Sequence, residues 1–203
     1  MQAPAASNTP AAEADTRSRI LAAAQRLFRK RGYHATGLND VLDLAQAPKG
    51  SLYHHFPGGK EAIGVCVVQD ITQGLLGLLA QSRARSTATL LGQVGEQLAT
   101  TMQRTDFEIC TLFAAFAAER KTSPQLGLAL AEAYKALACA IQGHLQHDGM
   151  AVRTAQDTAW AITALLEGGS LLSQAQQNAD VFRLTVKHAV RLCKPELQGK
   201  RVK

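Results

Sequence analysis

The stretch from Gly32 to Lys60, GYHATGLNDVLDLAQAPKGSLYHHFPGGK, constrains the fold more than any other part of the chain. It holds two short helix patterns separated by a tight turn. The first, Gly37 to Ala45, sets Leu38, Val41, Leu42 and Ala45 on one side, with Thr36 placed to cap it. Gln46 and Ala47 form the turn, and Pro48 then stands where a helix tolerates proline best, at its first position. The second pattern, Pro48 to His55, surrounds one large aliphatic, Leu52, with Lys49, Ser51, Tyr53, His54 and His55. A helix with one apolar anchor and hydrogen-bonding groups elsewhere suits insertion into a DNA major groove, so the stretch reads as a helix-turn-helix over about 37–56.

The charge distribution agrees. The 203 residues carry a net charge of +6, but residues 1–60 hold eight Lys/Arg against four acids, whereas the other 143 residues hold fourteen against twelve. A basic N-terminal module on a nearly neutral body points to a polyanionic partner at one end. Hydrophobic residues make up 46% and aromatics 5%, with Ala and Leu dominant and β-branched residues sparse, which favours helices packed on helices.

The cysteines at 66, 110, 139 and 193 are too far apart for a CxxC metal or redox site and read as reduced thiols, Cys66, Cys139 and Cys193 in the core. The N-terminus MQAPAASNTPAAEAD has no basic and apolar regions of a signal peptide. The longest apolar stretches break at Gln69-Asp70 or Glu167, short of the roughly 18 residues of a bilayer span. The expectation is a soluble cytoplasmic protein with no membrane partner.

Along the chain, residues 1–14 read as a disordered Ala/Pro-rich tail. A first helix is expected after Asp15, its N-cap, to about Arg31, with Ile20, Leu21, Ala24, Leu27 and Phe28 as its apolar stripe and Gly32 as its stop. Basic residues Arg26, Arg29, Lys30 and Arg31 crowd its end. After Phe56-Pro57-Gly58-Gly59, further helices are expected from Lys60 to about Ala80, Thr87 to Gln103, Glu108 to Glu119, Pro124 to Gln146 behind a Ser123 cap, Ala151 to Gln176 and Asp180 to Leu192. The fold class is all-α with about nine helices, and residues 194–203 form a basic tail.

This layout, with KGSLYHHFPGGKE closing a helix-turn-helix after a basic first helix, resembles the TetR family of bacterial transcriptional regulators. Over residues 15–61, Phe28, Gly32, Tyr33, Thr36, Lys49, Gly50, Leu52, Tyr53, His55, Phe56 and Lys60 fall where that family has its recurrent residues. The wording APKGSLYHHFPGGKE is similar to the branch that contains repressors of multidrug-resistance genes. Cys110, Glu119, Pro124-Gln125-Leu126 and Leu166-Glu167-Gly168 resemble that branch's C-terminal domain, while Ile109 and Ala47-Pro48 depart from the commoner residues.

The resemblance implies a homodimeric, ligand-released repressor. A three-helix DNA-binding domain (15–61) would bind a pseudo-palindromic operator on double-stranded DNA. A larger domain (62–193) would take an apolar or amphipathic small-molecule effector, and the last two helices would form a four-helix dimer seam. In the DNA face, which Pro48 opens, Lys49 and Ser51 suit base edges or phosphates, Gly50 lets the backbone approach, and Tyr53, His54 and Thr36 suit phosphates. Lys60 and the amides at the start of the fourth helix suit an anion.

In the body, Cys110, Phe113, Phe116, Trp160 and Glu167 are the candidate effector-pocket residues. Glu167 stands in an apolar run, so it needs a cation, a polar network at the dimer seam or a cationic effector. Gly168-Gly169 with Ala161 and Ala164 would let a partner helix approach closely. Cys110, near a helix start, is the one cysteine placed to sense redox state.

Catalysis is not expected. The six histidines make no HxxxH or HExxH arrangement, His144 and His147 read as a solvated pair, and there is no GxSxG or phosphate loop. Neither a cofactor nor a metal is implied. A nonspecific DNA binder is the remaining rival, and it would not need a large neutral body.

Overall fold

The structure, a computed structural model, describes residues 10–81, 84–108 and 112–194. Among these there are nine α-helices and a single 3-10 turn, with no strand. Helices α1 (Pro10–Arg31), α2 (Leu38–Ala45) and α3 (Lys49–His55) form the N-terminal head. The body contains α4 (Gly59–Gln81), α5 (Thr87–Arg104), α6 (Leu112–Ala117), the 3-10 turn Ala118–Lys121, α7 (Pro124–His147), α8 (Val152–Gln176) and α9 (Ala179–Leu192).

Helix α1 begins at Pro10, not after Asp15, so residues 10–14 are helical where a disordered tail was expected. The Ala-Ala-Glu-Ala run after Pro10 favours helix, and proline is tolerated in a first turn. Asp15 therefore lies inside the helix, its carboxylate 3.1 Å from Arg19 Nε one turn on. The remaining tail residues, 1–9 and 195–203, lie outside the described residues.

At the α1–α2 corner, Gly32 takes φ +78, a left-handed turn that glycine accepts without strain. Its amide donates to the Phe28 carbonyl at 3.0 Å. Thr36 does not cap α2: Gly37 holds that position, without a side-chain cap bond. Thr36 is instead 1% exposed, and its hydroxyl donates to the Gly32 carbonyl at 2.8 Å, tying the corner shut. Gln46, left-handed at φ 50, makes the turn into α3, and Pro48 precedes α3 as its N-cap. Arg19 donates from α1 to the Ala45 and Gln46 carbonyls at 3.0 and 3.3 Å, placing a cation at the negative end of α2.

Head and body share one apolar core. Phe28 and Tyr33 of the head meet Phe116 of α6 edge-on, with centroids 5.7 and 5.8 Å apart. Ile63, Val67 and Val68 of α4 and Leu126 and Leu130 of α7 continue the same cluster. Helix α4 has the length and apolarity of a bilayer span, with a mean hydropathy of 1.6 in its richest window. This departs from the expectation that Gln69-Asp70 cuts the run short; 33% of that window is buried, against α1 and α7, and one helix of this kind is weak evidence of a span.

The helix expected over Glu108–Glu119 is shorter. Asp106 and Phe107 are left-handed after α5, and α6 ends at Ala117, where a 3-10 turn takes over. Ser123 stands at the N-cap of α7 without a side-chain cap bond, because its hydroxyl meets the Tyr33 hydroxyl at 3.2 Å.

Helices α8 and α9 cross closely. A Cβ on Gly169 would overlap the Thr185 side chain, so this glycine serves packing within the chain, not a partner helix. Gly168 faces the other way, with open space where its Cβ would be, beside exposed Ala161, Ala164, Leu171 and Leu172.

Candidate nucleic-acid interface and ligand cavity

The head presents α3 outward. Leu52, 1% exposed, is the one buried residue of this helix and fixes it on the core. Around it Pro48, Lys49, Gly50, Tyr53 and His54 are exposed, and Ser51 and His55 are half-buried. Phe56 closes the helix from inside, with the Arg17 guanidinium 5.4 Å from its ring centroid. No protein atom lies within 4 Å of a Cβ built on Gly50, so packing within the chain does not require glycine there. Of the other expected contacts, Thr36 is interior and Lys60 is half-buried beside Tyr33. Lys60 Nζ sits 4.6 Å above the Tyr33 ring and donates to the His34 carbonyl at 3.2 Å. Burial holds its pKa below the ordinary lysine value against the pull of Glu119. Lys60, half-buried, thus joins the start of α4 to the α1–α2 corner, with its hydrogen bond at the surface.

The same junction carries a polar latch. Glu119, buried in the 3-10 turn, meets His34 Nε2 at 2.6 Å and accepts from the Thr122 hydroxyl at 3.0 Å. The Gln125 amide, at the start of α7, donates to Glu61 of α4 at 2.9 Å. The basic end of α1 also works internally. Arg31 pairs with Asp40 at 3.2 Å, and Arg29 enters the body.

Arg29 borders a partly open cavity of about 600 Å³ lined by α1, α4, α5, α6, α7, α8 and α9, within the usual range for a small-molecule site. Its walls are largely aliphatic, from Leu75 and Leu79 of α4 to Leu98 and Met102 of α5 and Ile141 of α7. Of the expected pocket residues, Phe113 and Glu167 line it. Phe116 does not: it is fully buried in the head–body core. Trp160 does not either: it is 45% exposed on the outer face of α8. Cys110 lies outside the described residues. Cys139 is exposed and Cys66 half-buried, against the expectation of core thiols, whereas Cys193 is buried, its thiol pushed up to about 11.

Glu167 finds no cation among the described residues. Its partner is the Tyr134 hydroxyl of α7, which donates to it. Burial raises the Glu167 pKa above the ordinary carboxyl range, opposed by that hydrogen bond. Burial and the adjacent carboxylate push the Tyr134 phenol far above its ordinary value, so it remains a neutral donor.

A pH dependence follows. The folded chain holds the Glu167 proton more tightly than the unfolded one. The associated stability is complete below the ordinary value of 4.5 and is lost as pH rises through the elevated folded value. Glu167→Gln stays neutral and keeps an acceptor for Tyr134. It is expected to leave the Tm at pH 4 unchanged and to raise it at pH 8, by roughly 2–4 °C per kcal/mol relieved. Equal Tm values for both proteins at pH 8 would contradict the buried carboxyl.

Sequence reasoning missed Tyr134, Arg29, Gln25 and Asp70, all of which line the cavity. Asp70 left a signal, a carboxylate inside the apolar run of α4. Arg29 gave a misleading one, since it belongs to a charge cluster at a helix end.

A family model described as bacterial regulatory proteins, tetR family, matches residues 20–63. A second, described as the C-terminal domain of LmrA/YxaF-like transcriptional regulators, matches residues 87–188. The HTH-type transcriptional regulator LmrA of Bacillus subtilis is 33% identical over 171 residues, which cover 81% of this chain and 89% of LmrA. The uncharacterized regulator YxaF of the same organism is 31% identical, over 78% and 85%. Among solved structures, a TetR transcriptional regulator of Legionella pneumophila superposes with a TM-score of 0.76 at 22% identity, over 87% of this chain and 96% of that one. The reduced form of Escherichia coli NemR superposes at 0.72 with the same identity and coverage.

Proposed function

The chain belongs to the TetR family of bacterial transcriptional regulators, near its LmrA branch, and from that premise we propose that it is a cytoplasmic homodimeric repressor released from a pseudo-palindromic operator by a largely apolar small molecule. Members of the family are DNA-binding regulators, not enzymes. The observation that carries the reading is the outward face of α3, where Lys49, Tyr53 and His54 stand exposed around one buried anchor, Leu52.

Residues 15–61 are the DNA-binding domain in this reading. Lys49 and Ser51 reach base edges or phosphates, Gly50 lets the backbone come close behind Pro48, and Tyr53 and His54 bind phosphates. Residues 62–193 hold the effector and the dimer seam, with Phe113 and Glu167 among the pocket residues. The exposed Trp160, Ala161, Ala164, Leu171 and Leu172 on α8, with half-buried Gly168 among them and Leu184 on α9, support a seam there. Monomeric proteins rarely leave a continuous apolar stripe in water.

A DNase footprint on the protein's own upstream region, over a salt series, tests the reading. A protected palindrome with half-sites about 34–36 Å or a multiple apart is expected, its affinity falling steeply with salt. A single unpaired half-site would count against the dimer. Uniform protection of unrelated DNA would favour a nonspecific binder.

A further inference from the structure

The apolar cavity has two polar ends. Glu167 and Tyr134 form one, on α8 and α7. The other comes from the head: Gln25 and Arg29 of α1 line the same cavity beside Asp70 of α4. Arg29 Nε is buried and has no hydrogen-bond partner among the described residues. Burial works against its charge while Glu108 and Asp70 support it. An unmade hydrogen bond on a buried charged group is costly, and a ligand acceptor at that point relieves it. Among the described residues, two carboxyl groups, Asp70 and Glu167, line the cavity against one guanidinium, an arrangement that disfavours an anion.

We propose that the cavity takes a neutral or cationic, largely apolar molecule that presents an oxygen acceptor to Arg29, so that a residue of the DNA-binding head itself grips the effector. The inference rests on reading this cavity as the effector site. It gives the ligand a direct hold on the head. Helix α1 carries Arg19, which clamps the end of α2, and Phe28, which packs against α6. A ligand that binds one position of α1 better than another shifts the head toward that position by its difference in affinity, and by no more.

Two dyes test this on the full chain: Nile red, uncharged and with a carbonyl acceptor, and anilinonaphthalene sulfonate, an anion. Nile red fluorescence is expected to report binding that Arg29→Met weakens about 10–100-fold, the range of one hydrogen bond to a charged group. Arg29→Lys keeps the charge that Asp70 and Glu108 face but removes the Nε–H, and is expected to weaken binding likewise while the fold is retained. Hydrogen exchange should show dye protection of α5, α8 and residues 20–31 of α1 in the native protein, and of α5 and α8 alone in Arg29→Lys. Unchanged affinity and α1 protection in both variants would overturn the Arg29 assignment and leave the pocket standing. Tighter binding of the sulfonate than of Nile red would overturn the charge assignment. Dye that protects none of the cavity helices would remove the effector reading itself.

Discussion

Lys49→Ala is expected to weaken operator binding by about 10²–10⁴-fold without unfolding the protein. A hydrogen bond to a charged group contributes roughly 1.5–3 kcal/mol, and a dimer presents the residue twice, so about 3–6 kcal/mol is at stake. Lys49 stands exposed at the first position of α3, and Leu52 alone fixes that helix on the core. The substitution therefore leaves packing untouched, and circular dichroism and Tm should match the native protein. The salt series separates two kinds of contact. Loss of a phosphate contact lowers affinity for all sequences and reduces the salt slope by about 0.9 for each contact removed. Loss of a base contact leaves the slope and relaxes discrimination at one position of each half-site. Native affinity in a folded Lys49→Ala protein would remove α3 from the groove.

The fold was legible wherever a helix has one wet and one dry face. Helix α2 shows this, with Val41, Leu42 and Ala45 buried as their spacing requires, and α3 shows it by its single apolar anchor. Legibility ends where apolar residues have more than one possible destination. Phe113 and Phe116 are three positions apart on a six-residue helix, yet one borders the cavity and the other seals the head–body joint. Trp160 belongs to a second apolar face of α8 that is turned outward, and hydropathy does not distinguish an outward apolar face from one that packs in the core. The neighbouring glycines 168 and 169 divide the same way, one outward and one against Thr185. Arg29 misled through length: its stem lets the guanidinium reach into the protein from a position that reads as surface.

Phe116→Ala is expected to have the largest effect on stability, about 3–5 kcal/mol, or roughly 6–20 °C in Tm. The ring is fully buried and meets Phe28 and Tyr33 edge-on, so its removal empties a volume bounded by α1, the α1–α2 corner and α6. Tyr33 is held there also by Ser123 and covered by Lys60, which limits how far the site can collapse. Phe113→Ala is expected to cost less, because that ring already borders empty space and its loss widens an existing cavity instead of opening a new one. The two variants should part in function as well. With Phe116 removed, the head keeps the His34–Glu119 and Tyr33–Ser123 contacts but loses its apolar seat on the body. Amide exchange in α1 to α3 should then accelerate relative to α8 and α9, and an effector seated in the cavity should release DNA less completely. Phe113→Ala should change effector affinity while leaving exchange in the head as it was. Urea unfolding and hydrogen exchange on the pair decide the matter. If Phe113→Ala cost as much as Phe116→Ala, or if the head exchanged alike in both, Phe116 would be one core residue among many and the connection between cavity and head would have to run through α1 and α4 alone.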